Sequence, residues 1–183
     1  MNRLDLRFPL SALAVLGVIA MAIILPTAFG ASTPTPAPVR SAFAATEHVQ
    51  GAPGRNLVLS KVTVPPGAKL STHHHLGTQI SRVVSGTLTY TVREGMAELY
   101  EGEADSEEAR LVRDVTAGKT AKIRAGQWLV EQPSDVHEAA NRGSASVVIY
   151  LATLLKDGAA PSTPVGLSQR GAPASPAGSG VAP

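Results

Sequence analysis

Cysteine is absent from the 183 residues of this chain. The absence excludes disulfide bonds, a thiolate metal site, a cysteine nucleophile and lipid attachment through cysteine, and it leaves histidine as the main ligand for soft metal ions. Aromatic residues are scarce, at 4%, whereas the chain has 17 glycines and 14 prolines. This composition is typical of a core of Val, Leu, Ile and Ala with many turns.

An excess of charge is also lacking. The chain has 16 basic and 14 acidic residues, a formal net charge of +2, and no run of five or more Lys or Arg. Binding to nucleic acid is therefore not predicted. The length is sufficient for one domain with a substantial core.

One long apolar run is present, at residues 10–25, with Arg3 and Arg7 before it. The pattern predicts an export segment over residues 1–30, either a cleaved signal peptide or a retained membrane anchor. We therefore expect a secreted or extracytoplasmic protein that contacts a membrane only through this segment.

Two segments rich in Ala, Pro, Ser, Thr and Gly flank the centre of the chain. Residues 31–46 are predicted to be a disordered linker and residues 156–183 a disordered tail, because neither can bury enough apolar surface to fold. Residues 47–155 are left as the folded domain.

The central segment carries the signals of strands. Residues 87–92 alternate strictly, with Leu88, Tyr90 and Val92 on one face and threonines on the other. Several further short β-rich segments end at Gly or Pro, and no convincing helical period is present. The prediction is an all-β sandwich or barrel.

Three consecutive histidines, His73 to His75, lie in one of the predicted strands. Successive side chains of a strand point to opposite faces, so His73 and His75 share a face and His74 does not. Two imidazoles so placed can bind one ion of zinc, copper, iron or nickel. His137 and Gln79 are the candidates for further ligands.

This stretch resembles the first sequence motif of the cupin family, whose members are small β-barrels. The motif is Gly, five residues, His-x-His, three or four residues, Glu, six residues, Gly. The positions that match it are Gly67, His73, His75 and Gly86, with Gln79 in place of the glutamate.

A later stretch is similar to the second cupin motif. The positions that carry this likeness are Gly126, Pro133, His137 and Asn141. Asp135 stands in the position of a glycine, and one residue fewer precedes the histidine. Asp135 and Glu138 flank His137, and each is a group that could orient it or accept a proton.

The resemblance implies one cupin jelly-roll barrel over residues 47–155, with His73, His75 and His137 as nitrogen ligands of one divalent metal ion. Gln79 would be a weak, neutral oxygen ligand or the hydrogen-bond partner of a histidine ring. Because an amide brings no charge, Fe, Zn, Cu or Ni is favoured over Mn.

Two functions follow from the resemblance, and whether the protein is an enzyme is left open. One is a metal-dependent oxidoreductase, dioxygenase-like, acting on a small chelating organic substrate. The other is a non-catalytic module that binds or senses a small ligand. A homodimer is implied by the resemblance alone.

Overall fold

Two antiparallel β-sheets form the part of the chain that the computed structural model describes, residues 36–133 and 135–166. No helix occurs in these ranges. The strands are β1 (Val39–Thr46), β2 (Arg55–Val64), β3 (Lys69–His74), β4 (Gly77–Ser85), β5 (Thr87–Glu94), β6 (Met96–Glu101), β7 (Arg110–Thr116), β8 (Thr120–Arg124), β9 (Trp128–Glu131), β10 (Val136–Ala140), β11 (Val147–Lys156) and β12 (Thr163–Pro164).

The order of the strands is that of a jelly roll. The larger sheet runs β1-β2-β11-β4-β9-β6-β7 and the smaller one β12-β3-β10-β5-β8. Most neighbours within a sheet are distant in sequence, as when β2 pairs with β11 and β4 with β9. The prediction of an all-β jelly-roll barrel is confirmed.

The core lies between the inner faces of the two sheets. On β5 the three residues predicted to face inward, Leu88, Tyr90 and Val92, are all buried. They join buried residues of the larger sheet, among them Leu129 on β9 and Leu151 on β11, in one apolar cluster. The alternation of the sequence therefore gives the correct inner face of β5.

The first strand corrects the predicted linker over residues 31–46. Val39–Thr46 pairs along its length with β2, from Val39 opposite Thr63 to Thr46 opposite Leu57. Every side chain of β1 is exposed, so the strand is stabilised by backbone hydrogen bonds at the sheet edge rather than by burial. A composition-based prediction cannot detect such a strand.

The predicted tail is likewise ordered over its first part. β12 pairs with β3, with Thr163 opposite His74 and Pro164 opposite His73. The backbone N–H of Val165 donates to the carbonyl of Thr72 at 3.1 Å. A strand of 2 residues is too short to show an alternation of apolar and polar side chains, so it could not be predicted from the sequence. Residues 167–183 lie outside the described residues.

The predicted export segment, residues 1–30, also lies outside the described residues. Within the part that the structure describes, no helix has the length and apolar character needed to cross a membrane.

Candidate metal centre

Pairing of β3 with β10 brings the three predicted histidine ligands together. His137 lies directly opposite His73 in the register of the two strands, and His75 follows the end of β3. The ring centroids are 4.5 Å apart for His73 and His137, 5.0 Å for His73 and His75, and 5.2 Å for His75 and His137. One nitrogen from each ring lies within 4.8 Å of the others, a spacing compatible with one shared metal ion.

Backbone carbonyls orient two of the rings. Nδ1 of His75 lies 2.7 Å from the carbonyl oxygen of Pro161, and Nδ1 of His73 lies 2.6 Å from that of Ser71. A carbonyl can only accept a hydrogen bond, so each Nδ1 carries the proton and each Nε2 keeps its lone pair. Both rings are thus fixed in the tautomer that binds a metal through Nε2.

The surroundings also keep these two rings neutral. Burial, with a smaller contribution from His137, lowers the pKa of His73 from 6.5 to about 4. Burial likewise lowers the pKa of His75, although the negative charge of Glu131 opposes the shift. Because only neutral imidazole binds a metal, both rings are in the competent form at neutral pH.

Packing rather than a hydrogen bond orients His137. The ring stacks on Tyr90, with centroids 5.1 Å apart and planes at 30°. His137 is 3% exposed, and its Nδ1 has no hydrogen-bond partner among the described residues. The Tyr90 hydroxyl is also buried and unpaired there, and burial followed by the charge of Glu131 raises its pKa.

A buried carboxylate that was not predicted from the sequence lies beside the cluster. Glu131 on β9 is 2% exposed; its Oε1 lies 3.5 Å from Nε2 of His137 and its Oε2 lies 3.9 Å from Nε2 of His75. Burial alone would raise the pKa of Glu131, but the nearby rings of His137 and His75 and the hydrogen bond from Gln79 hold it below its ordinary value. The one available signal was alternation, since Glu131 shares the inward face of β9 with Leu129.

Gln79 lies directly opposite Glu131 in the pairing of β4 with β9. Its amide nitrogen donates to Oε2 of Glu131 at 2.6 Å and lies 3.1 Å from Nε2 of His75, while its oxygen accepts from the Thr153 hydroxyl at 2.9 Å. An ionised carboxylate only accepts, which requires the amide nitrogen to face the site. The structure favours the hydrogen-bonding role for Gln79, and its role as a direct ligand stays a prediction.

The two acidic residues beside His137 have other partners. Asp135 accepts from the backbone N–H of Met96 at 3.1 Å and from that of Gln132 at 2.6 Å, so it stabilises the turn before β10. Glu138 forms an ion pair with Arg93 on the neighbouring strand. Neither residue lines the cavity described next.

The three histidines and Glu131 line a cavity of about 390 Å³. Arg40 on β1 also lines it and is the one Lys or Arg among the described lining residues; its guanidinium donates to the buried hydroxyl of Ser60 at 3.0 Å. Both segments predicted to be disordered contribute to the wall, through Pro38 and Pro161 among others. The apolar part of the wall consists of Val62, Leu70, Leu88, Leu129, Ala139, Ile149 and Leu151.

The lowered histidine pKa values predict how the stability of the metal-free protein depends on pH. Between pH 6.5 and about 4 the unfolded chain binds a proton at His73 that the folded protein does not, so the free energy of unfolding falls as the pH is lowered through this window. Thermal unfolding of chelator-treated protein at a series of pH values measures the effect. We expect a smaller slope for His73→Asn, and an unchanged slope in that variant would contradict the assignment.

Comparison with known proteins finds distant structural likenesses alone. No family model and no curated protein matches the chain. Among solved structures, a cupin 2 domain-containing protein from Halorhodospira halophila is 12% identical, with a TM-score of 0.47 and coverage of 76% of this chain and 77% of that one. KdgF from a Halomonas species is 20% identical, with a TM-score of 0.44 and coverage of 69% and 84%.

A structure of the DMSP lyases RdDddP and RnDddQII is 12% identical, with a TM-score of 0.42 and coverage of 60% of this chain. The chain spans 44% of the length of that one. Such distant likenesses carry no information about activity. The two sheets and the three-histidine cluster define a jelly-roll barrel with a candidate metal centre, whose chemistry must be inferred from its own geometry.

The donor atoms fit a divalent transition metal. Three imidazole nitrogens converge, two of them with fixed tautomers, and a buried carboxylate lies beside them. Imidazole suits zinc, copper, iron and nickel, and three histidines with open positions are typical of catalytic sites.

Proposed function

We propose that this protein is a metal-dependent enzyme of the cupin type that acts on a small organic anion. The observation that carries the proposal is the convergence of His73, His75 and His137 on the wall of a cavity large enough for a small molecule. His73, His75 and His137 would hold the metal.

The lining of the cavity favours an anion with an apolar body. Arg40 offers a planar cationic fork that suits a carboxylate or an enolate oxygen. Its pKa is lowered by burial, an effect that the charge of Glu131 opposes, so the guanidinium is partly withdrawn from water. The leucine and isoleucine side chains of the wall would contact the carbon skeleton and exclude water.

The reaction that we propose is dioxygenase-like. A bound redox metal supplies an oxygen-binding centre and a Lewis acid for a chelating substrate. The residues of the chain would position the anion through Arg40 and keep water out through the apolar wall. The Tyr90 hydroxyl, whose pKa is raised by burial, would keep its proton in this site.

Export is part of the proposal and rests on the pattern of residues 1–30 in the sequence. The enzyme would then take its metal outside the cytoplasm. Fractionation of cells that express the full chain, with determination of the mature N-terminus, tests this step; a protein found only in the cytoplasm with its N-terminus intact would contradict it.

Metal loading and oxygen consumption test the proposed reaction. We expect the purified protein to bind about one ion per chain and, when loaded with iron, copper or nickel, to consume oxygen in the presence of a β-diketone, an enol or another small chelating anion. Arg40→Gln should raise the KM for the anion, whereas Lys61→Gln, an exposed position on β2 outside the cavity lining, is the matched control.

Two other outcomes would change the conclusion. Metal-dependent thermal stabilisation by such anions without any turnover would replace the enzyme with a ligand-binding or sensing module of the same site. Absence of metal binding after reconstitution would overturn the proposal.

A further inference from the structure

The buried carboxylate of Glu131 faces the histidine cluster from the larger sheet. A carboxylate that is 2% exposed loses most of its hydration, which is costly unless positive charge or several hydrogen bonds replace it. Gln79 donates a hydrogen bond to it, and the Tyr90 hydroxyl and the Arg40 guanidinium are further groups that interact with it. A cation held by the three histidines would lie beside this carboxylate and would replace part of its lost hydration.

The positions of the two carboxylate oxygens differ. Oε2 accepts the hydrogen bond from Gln79 at 2.6 Å, whereas Oε1 lies 3.5 Å from Nε2 of His137. Two ligands that bind a tetrahedral ion at about 2.1 Å are about 3.4 Å apart. Oε1 therefore lies at the spacing expected of an atom that shares an ion with His137.

A chain of hydrogen bonds fixes this carboxylate. The Thr153 hydroxyl donates to the oxygen of Gln79, and the nitrogen of Gln79 donates to Glu131. Gln79 and Glu131 are cross-strand neighbours, so either position can present a carboxylate to the same region of the cavity.

We propose that Glu131 is the acidic ligand of this metal site, through Oε1, and that Gln79 is a positioning residue that orients it. The inference rests on the proposed metal site and deepens it. The acid expected at position 79 is supplied from the opposite strand, so the site carries three neutral nitrogens and one anionic oxygen. With an anionic oxygen donor, the reason for disfavouring Mn²⁺ no longer applies, and the site should accept it along with Fe²⁺ and Zn²⁺.

Exchange of the two side chains tests this assignment. The measurements are the dissociation constant for Zn²⁺ by chelator competition and the visible absorption spectrum of the Co²⁺-loaded protein. The proteins compared are the wild type, Glu131→Gln, the exchange variant Gln79→Glu/Glu131→Gln, and Glu138→Gln as a control whose carboxylate pairs with Arg93 instead.

We expect Glu131→Gln to weaken Zn²⁺ binding more than about tenfold and to change the Co²⁺ spectrum, because an anionic donor is lost. In the exchange variant the Thr153 hydroxyl can still donate to residue 79 and the new amide can donate to the new carboxylate. We therefore expect this variant to recover most of the affinity and the wild-type spectrum. Such a recovery would also show that the protein folds with both positions substituted.

Each contrary result is informative. A Zn²⁺ affinity in Glu131→Gln equal to that of Glu138→Gln would overturn the role of Glu131 and leave the three-histidine site intact. A weakened affinity with an unchanged Co²⁺ spectrum would overturn direct ligation, since only the charge would then matter. Absence of Zn²⁺ and Co²⁺ binding in the wild type would overturn both this inference and the metal site itself.

Discussion

The double variant His73→Ala/His75→Ala is expected to lose its metal completely, with bound metal falling from about one ion per chain to less than about a tenth of that. Two of the three converging imidazole nitrogens are removed, and the remaining His137 cannot hold a divalent ion tightly alone. Elemental analysis of protein purified without a polyhistidine tag gives the result directly.

His74→Ala is the matched control for this prediction. His74 is the last residue of β3 and lies in sequence between the two candidate ligands, yet it is not part of the three-histidine cluster, so its replacement should leave the metal content unchanged. Undiminished metal in the double variant would contradict the site. Equal loss in His74→Ala and in the double variant would point to general damage to β3 instead.

A second large effect is expected from Gly77→Ala, which we predict to lower the free energy of unfolding by about 3 kcal/mol or more. A Cβ atom at Gly77 would lie 2.0 Å from the carbonyl oxygen of Leu154 and 2.8 Å from Cα of Leu155. Both contacts are with the backbone of β11, which pairs with β4 along almost its full length, so neither atom can move without disturbing the ladder. Urea unfolding followed by circular dichroism measures the loss.

Gly51→Ala is the corresponding control. No atom lies within 4 Å of the position that its Cβ would take, and it has no left-handed backbone conformation to preserve. We expect a change within about 0.5 kcal/mol of zero for this variant. Equal midpoints for Gly77→Ala and Gly51→Ala would show that β4 and β11 can separate at this point without cost.

The sequence predicted the parts of the site that depend on alternation and spacing. His73 and His75 could be placed on one face because a strand has a period of two, and β5 could be oriented through Leu88, Tyr90 and Val92. His137 was predicted from its place in a motif, and the pairing of β10 with β3 brings it to the other two rings.

Other contributions to the site left little or no trace in the sequence. Pro161 acts through its backbone carbonyl, which every residue has, so its side chain gives no indication of its contact with His75. Glu131 comes from a strand of four residues, too short to establish a period. Arg40 is on an edge strand whose side chains are all exposed, and composition alone predicted a linker there.

The hydrogen bond between His75 and Pro161 has a consequence for the order in which the site is assembled. The two residues are 86 positions apart, and Pro161 belongs to the last described segment of the chain. During synthesis, or during passage through a membrane as an extended chain, the histidine strand emerges long before the carbonyl that sets its tautomer. A metal ion captured at that stage would meet mobile rings free to bind through either nitrogen. At the proposed metal site, selective loading would therefore follow the arrival of Pro161 beside His75.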